Sequence, residues 1–217
     1  MFPWMEAWAE KIPQPGTRRN YQTAINAFHK FLGMDITFQQ LRTSTLKQFI
    51  ESKGLKPTLL INTHMHVDHV AGDMYVAEKY GLPVIGCEDD AFLGERISQQ
   101  VKMFGLPVNV DDIKIAQMVK HGDILRLGDE EIKVLQVPGH SPGSVVLYCE
   151  ASKLLVSGDA LFSGGIGRTD LPGGDYSTLI NAIKTQILSL PEDVVVYPGH
   201  GPETTVGDER RYNSFLR

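Results

Sequence analysis

The sequence predicts an α/β chain, with sheets covered by helices, on three observations. Short apolar runs such as "TLLIN" and "SVVLYCE" read as strands. They are interleaved with runs at helical period, such as "YSTLINAIKTQILSL", whose apolar residues return every three or four positions. The β-rich runs "DILRLGDEEIKVLQVPG", "SVVLYCE" and "KLLVSGDAL" also follow one another directly, so β segments lie adjacent as well as alternating with helices.

Taken in order, residues 1–16 contain Trp4, Trp8 and prolines but no clear period. "TRRNYQTAINAFHKFLG" places Tyr21, Ile25, Phe28, Phe31 and Leu32 at helical spacing, with Gly33 as the stop. "TFQQLRTSTLKQFIESKG" continues with short helical pieces up to Gly54. From Leu55 the pattern changes. "TLLIN" is a buried strand, "VAGDMYVAEKYG" a helix ending at Gly81, "PVIGC" a strand and "DDAFLGERISQQVKMFG" a helix. The three β-rich runs follow, punctuated by Gly and Asp, then the amphipathic helix, and "EDVVVYPGHG" is a final strand running into a loop.

A chain of 217 residues suits one large domain, or one domain with a short extension. Its 42% hydrophobic and 22% charged residues are those of a globular protein. A net charge of -5 argues against wholesale binding to nucleic acid or anionic membrane. The charge is uneven: residues 1–58 hold eight basic and four acidic residues, whereas the rest holds 13 and 22. The two parts therefore have different origins or duties. Two distant cysteines, Cys87 and Cys149, exclude a disulfide framework or a thiolate zinc site. Without a secretory signal or a long apolar span, the expectation is a soluble cytoplasmic protein.

The chemistry concentrates in "THMHVDHVAG", residues 63–72. His64, His66, Asp68 and His69 fall within six positions, too dense for a polar loop with incidental histidines. In extended backbone alternate side chains point the same way, so His64 and His66 face one ion together. Asp68 and His69 come after the turn, at the start of the next helix, and reach a second ion. Three later segments repeat one design, a strand followed by glycine and a single ligand-type residue: "VLQVPGHSPGS" with His140, "LLVSGDALF" with Asp159 and "VVVYPGHGP" with His200. Each is a weak signal alone. Together they put five of the seven histidines after strand-like runs.

The order "THMHVDH…PGHSPGS…SGDALF…YPGHGP" resembles the metallo-β-lactamase superfamily, and within it the glyoxalase II-like (hydroxyacylglutathione hydrolase-like) hydrolases, over about residues 48–217. The resemblance implies an αββα sandwich for 48–217, behind a helical segment at 1–47 that replaces the usual first strands. It implies that His64, His66 and His140 hold one metal, that Asp68, His69 and His200 hold the other, and that Asp159 bridges them. The ligands are nitrogen and oxygen, which suits two divalent ions, Zn²⁺ first, with Fe or Mn also accepted. Such a pair supplies a metal-bridging hydroxide and polarises a carbonyl, so the implied reaction is cleavage of a thioester or related ester. Asp68 is also the candidate catalytic residue that takes or relays a proton.

On the substrate side, "FSGGIGRTDLPGGD" resembles the glycine-rich pocket loop of that family. Arg168 stands at its basic substrate-contacting place, and Asp170 where glyoxalase II enzymes often carry an aromatic hydroxyl. Met103 and Phe104 are candidates for the mouth. The helical C-terminal region of glyoxalase II has no counterpart here, as in the short, single-domain members. "GRTD" also resembles the persulfide dioxygenases of the same superfamily, which implies as an alternative a single iron held by His64, His140 and Asp159.

Residues 1–47 offer none of the strands with which family members begin. "TRRNYQTAINAFHKFLGMDITFQQLRTSTLKQFIESKG" instead resembles the N-terminal helical domain of phage-integrase (tyrosine recombinase) proteins, with a basic pair at Arg18 and Arg19. This raises a third reading, a non-catalytic fusion product with DNA-binding helices. Losing the first strands would leave an unpaired sheet edge and an uncovered apolar face. The N-terminal helices or a second copy of the chain would have to cover them.

Overall fold

The computed structural model of the protein describes residues 6–9, 50–52 and 54–217. Its first sheet has the order β1-β2-β3-β4, built from β1 (Glu6–Ala9), β2 (Pro57–Ile61), β3 (Val84–Cys87) and β4 (Gln117–Val119). β2, β3 and β4 run parallel, and β1 is antiparallel to β2. The second sheet runs β12-β11-β8-β7-β6-β5, from β5 (Ile124–Leu127), β6 (Glu130–Gln136), β7 (Val145–Cys149), β8 (Leu154–Gly158), β11 (Val195–Pro198) and β12 (Thr204–Thr205). β8 and β11 are parallel, and β5 to β8 form an antiparallel meander. A small hairpin, β9 (Leu161–Phe162) with β10 (Gly165–Ile166), stands apart.

The helices among the described residues are α1 (Val67–Val70), α2 (Asp73–Tyr80), α3 (Ala91–Gly94), α4 (Ile97–Met103), α5 (Tyr176–Ala182) and α6 (Val206–Tyr212). α5 runs on as a π turn over Ile183–Ile187. α2 stops at Gly81, whose φ of 65° lies in the left-handed region that suits glycine at a C-terminal cap.

Period-2 alternation builds three apolar layers. On β7 and β8, Val146, Tyr148 and Leu155 pack against Leu179, Ile183 and Ile187 of the α5 segment. The other faces, with Val145, Leu147 and Val156, meet Ile61, Ile85 and Val119 of the first sheet. Beyond that sheet, Leu60 and Val84 pack on Val76, Ile97 and Val101 from α2 and α4. This is an αββα sandwich. Leu60, Leu155 and Leu179 are fully buried, each contributing about 1.5–3 kcal/mol of transfer free energy.

Two expectations need correcting. A strand does precede Lys47: β1 pairs with β2 through the register Glu6↔Ile61, Ala7↔Leu60 and Trp8↔Leu59, so the β2 edge is not left unpaired. Four residues of "EAWA" carry too little pattern to announce a strand whose partner lies some fifty residues on. The predicted helix through "DDAFLGERISQQVKMFG" is also broken, into a 3₁₀ turn at Glu88–Asp90, α3 and α4. There Gly94 O accepts from Ile113 N at 2.8 Å, and Ser98 N donates to Asp112 Oδ1 at 2.8 Å. Tertiary partners have taken the groups that a continuous helix would pair with each other. The integrase-like stretch 17–54 lies outside the described residues except for 50–52 and 54, where Ile50 is helical and buried in the α2–α4 layer. No helix among the described residues is long and apolar enough to cross a membrane.

Candidate metal centre

β2, β6, β8 and β11 point their C-terminal ends to the same rim of the sandwich, and each delivers ligand-type side chains there. After β2 the chain bends at Thr63 and His64, is extended again at His66, which has ψ of 147°, and then turns into α1, carrying Asp68 and His69. The loop is tied to the second sheet by Val145 N donating to Thr63 O at 2.8 Å. At the end of β8, Gly158 has φ of +49°, and a Cβ there would collide with the Thr63 side chain. Only glycine lets the two sheets approach so closely just before Asp159. Gly199, before His200, is packed the same way against the Asp159 carboxylate and the His69 ring.

The seven predicted ligands converge. His66 Nδ1 lies 2.9 Å from His140 Nε2, and the His64 ring centre is 4.8 Å from those of both His66 and His140. The Asp159 carboxylate lies 3.3 Å from His69 Nε2, 3.2 Å from His200 Nε2 and 3.8 Å from His140 Nε2. Asp68 Oδ2 is 3.3 Å from His200 Nε2 and 3.7 Å from His69 Nε2. Three overlapping sets result, each with its donor atoms within 4.8 Å of one another: His64, His66 and His140; His64, His69 and Asp159; Asp68, His69 and His200.

The electrostatics divide the cluster in two. Burial pushes His64 and His140 below the ordinary imidazole range and His66 down to about 3, so these rings keep their lone pairs. Burial also opposes charge on His69 and His200, but Asp159 and Asp68 outweigh it, raising His69 and bringing His200 to about 9. Asp68 is correspondingly held at about 2 despite its burial, chiefly by His69 and His200, and Asp159 lies well below the carboxylate range. Buried carboxylates that gather positive charge are what a cation site requires.

The fit to metal rests on how these donor atoms are partnered. Buried polar atoms are nearly always paired, yet buried His64 Nε2 has no hydrogen-bond partner, and buried His69 Nε2 and Asp159 Oδ1 meet through an ion-pair contact at 3.3 Å in place of a well-formed hydrogen bond. His140 Nδ1 donates to Arg168 O at 2.7 Å, which fixes the tautomer and leaves Nε2 as an acceptor turned into the cluster, 2.9 Å from His66 Nδ1. The donor set is imidazole and carboxylate, suited to divalent ions.

The sequence matches the family described as "Metallo-beta-lactamase superfamily" over residues 33–200. The chain belongs to the metallo-β-lactamase superfamily. It is 42% identical over 173 residues to "Hydroxyacylglutathione hydrolase GloC" from Haemophilus influenzae, an alignment covering 79% of this chain and 81% of that protein. Among solved structures it is similar to TTHA1623 "in a di-iron-bound form", at 37% identity and a TM-score of 0.74, covering 81% of this chain and 85% of that one. It is also similar to "BLEG-1 B3 metallo-beta-lactamase", at 34% identity and a TM-score of 0.75, over 80% and 84%.

Five of the seven candidate ligands, His66, Asp68, His140, Asp159 and His200, floor a cleft of about 590 Å³, whose walls include Val67, Phe104, Leu106, Phe162, Ile166 and Leu171. Phe104 takes its predicted place at the mouth, whereas Met103 is exposed and does not line the cleft. Arg168 reaches the rim, but its Nε and Nη2 each donate to Asp170 at 2.7 Å, one to each carboxylate oxygen. Asp170 itself is not among the lining residues. Hydrogen bonding to Arg168 holds it at about 2.

Sequence reasoning missed the supports. Fully buried Asp90 accepts from Met65 N at 3.0 Å, from Ser141 Oγ at 2.7 Å and from Gly143 N at 2.6 Å, lashing the His64–His66 loop to the His140 loop. Burial raises its pKa in spite of those three bonds. Gln100 accepts from Val67 N at 3.0 Å and donates to Met65 O at 3.1 Å and Leu93 O at 3.0 Å, bracing both sides of His66. The only sequence signal was an acidic or amide residue on an otherwise core-facing stretch.

Proposed function

We propose that the protein is a metal-dependent hydrolase that cleaves a thioester or related ester, with two divalent cations, Zn²⁺ foremost, at the His/Asp cluster. The supporting observation is the convergence of seven imidazole and carboxylate groups, five of them on the floor of a largely apolar cleft and His64 Nε2 buried behind them without a hydrogen-bond partner. His64, His66 and His140 would hold one cation, Asp68, His69 and His200 the other, with Asp159 between them. Bound cations of this kind supply a nucleophilic hydroxide near neutral pH and stabilise the oxyanion of a carbonyl under attack. The chain's own residues then do three things. Asp90 and Gln100 hold the two histidine loops in register. Asp68, about a quarter exposed at the cleft floor, would take or relay a proton. The apolar walls exclude water from the reacting bond. The relative named as a hydroxyacylglutathione hydrolase supports the thioester class.

The deciding experiment is metal analysis of the purified chain, with thioester hydrolysis followed before and after chelation and on re-addition of Zn²⁺, Fe²⁺ or Mn²⁺. About two metals per chain and chelator-sensitive hydrolysis are expected, and less than about one metal per chain under replete conditions would sink the reading. The assembled Asp68, His69 and His200 set favours two cations over the single-iron persulfide dioxygenase alternative. Oxygen uptake by iron-loaded protein with glutathione persulfide would reverse that preference.

A further inference from the structure

We infer that the cleft selects thioesters or esters with an apolar, uncharged body over glutathione conjugates, and that Asp170 sets this selectivity by occupying Arg168. The inference rests on the hydrolase reading above and narrows its substrate class.

A substrate whose carbonyl sits over Asp68, Asp159 and His200 must lay the rest of its length along the remaining walls. Those walls are Val67, Phe104, Leu106, Phe162, Ile166 and Leu171. Phe104 is 40% exposed, apolar surface that an acyl chain or aryl group would cover. A glutathione moiety instead carries two carboxylates and an ammonium group at neutral pH. Each needs a partner of opposite charge or continued contact with water, because burying an unpaired charge against aromatic and aliphatic walls is costly. Among the described residues lining the cleft, Arg168 is the single permanent cation. Its fork is already engaged by both oxygens of Asp170. This bidentate pair takes the Nε–Nη2 edge and neutralises the charge, leaving a substrate carboxylate only the Nη1 side of an already paired cation. Asp170 is therefore a specificity-determining residue: it cancels the charge that would recruit an anionic substrate and leaves the rim neutral. In the reaction so assigned, water adds its oxygen to the carbonyl carbon and the C–S or C–O bond breaks. The products are a carboxylic acid and a thiol or alcohol, with no oxidant or reductant involved.

The test uses the full chain loaded with metal. Initial rates are measured for straight-chain acyl thioesters of N-acetylcysteamine, from acetyl to decanoyl, and for S-lactoylglutathione, in the wild type and in Asp170→Asn. The expected result is a kcat/KM that rises about fourfold per added methylene until the cleft is filled. The longer thioesters should exceed the glutathione conjugate. In Asp170→Asn the ratio of glutathione to octanoyl thioester should rise by about two- to fivefold, the modest scale of a solvent-exposed pair. A flat chain-length series, or a wild-type preference for the glutathione conjugate that Asp170→Asn leaves unchanged, would overturn the inference. If no thioester is cleaved, calorimetric titration with the uncleavable decyl thioether separates the two claims. Binding retains the apolar cleft and rejects the hydrolase reading, whereas no binding rejects the cleft assignment itself.

Discussion

The two sheets contribute to the candidate metal centre in opposite ways. The first delivers His64, His66, Asp68 and His69 from a single segment after β2, and its edge is closed by the four-residue β1. The second delivers His140, Asp159 and His200 from three separate loops after β6, β8 and β11, on a sheet whose strands reach seven residues. One side is concentrated and depends on one strand's position, while the other is distributed over three. Damage to the first sheet should therefore remove a group of ligands together, and damage to the second should remove them singly.

The largest expected effect comes from the one residue that joins the two sides. Asp159→Ala takes away the carboxylate facing His69, His140 and His200, so hydrolysis should fall by more than about a hundredfold, past the range for outer supporting residues. Metal content measured on the same sample should fall too. Survival of two bound metals with near-normal rates would show that the two sides do not need this bridge.

Next, deleting residues 1–9 removes β1 and bares the β2 edge. A lower Tm and self-association in sedimentation are expected, with the four-ligand side losing metal first. A monomer of unchanged Tm would mean that β1 contributes nothing to that edge. A paired core comparison is more selective. Leu60→Ala and Ile187→Ala each remove a fully buried side chain and should each cost about 2–5 kcal/mol in denaturant unfolding. Leu60 lies on the strand that feeds the concentrated ligands, so only Leu60→Ala should also weaken metal binding. Equal metal affinity in the two variants would erase the proposed asymmetry.

The smallest effect is a pH dependence. Asp73, fully buried beside Asn62 in the first half, is pushed up to about 8 by burial. Its folded-state pKa lies above the unfolded value, so the native form holds the proton more tightly. Stability from this group is then greatest below the ordinary carboxylate pKa and declines as pH rises towards 8. Thermal melts at pH 5 and pH 6 should show the wild type losing a few degrees more than Asp73→Asn, which cannot ionise, since one pH unit in this window is worth about 1.4 kcal/mol. Parallel slopes would show that Asp73 is already charged in the folded protein.

How legible these features were depended on whether their cause was local. The convergence of the seven candidate ligands was readable because their spacing lies within short segments, and the glycine-terminated strands because period and turn chemistry are local properties. The layered sandwich followed from the same alternation. Asp90 and Gln100 were not readable: their partners lie 25 to 53 and 7 to 35 residues away, and neither sits in a motif. The break at Gly94 was set by Asp112 and Ile113, which no helical pattern anticipates. β1 was missed because an edge strand is defined by the partner it meets. Arg168 and Asp170 were both named as substrate contacts, and only the geometry revealed that they engage each other.

The bonds of Asp90 have a practical consequence for the life of the protein. They join the loops on either side of the site through backbone and hydroxyl groups. These bonds should keep the two loops aligned in chelated protein, so that exchange of one metal for another need not pass through an unfolded chain. Activity would then follow whichever divalent ion is supplied, and chelated protein should keep its circular dichroism spectrum and regain activity on reloading within the time of mixing.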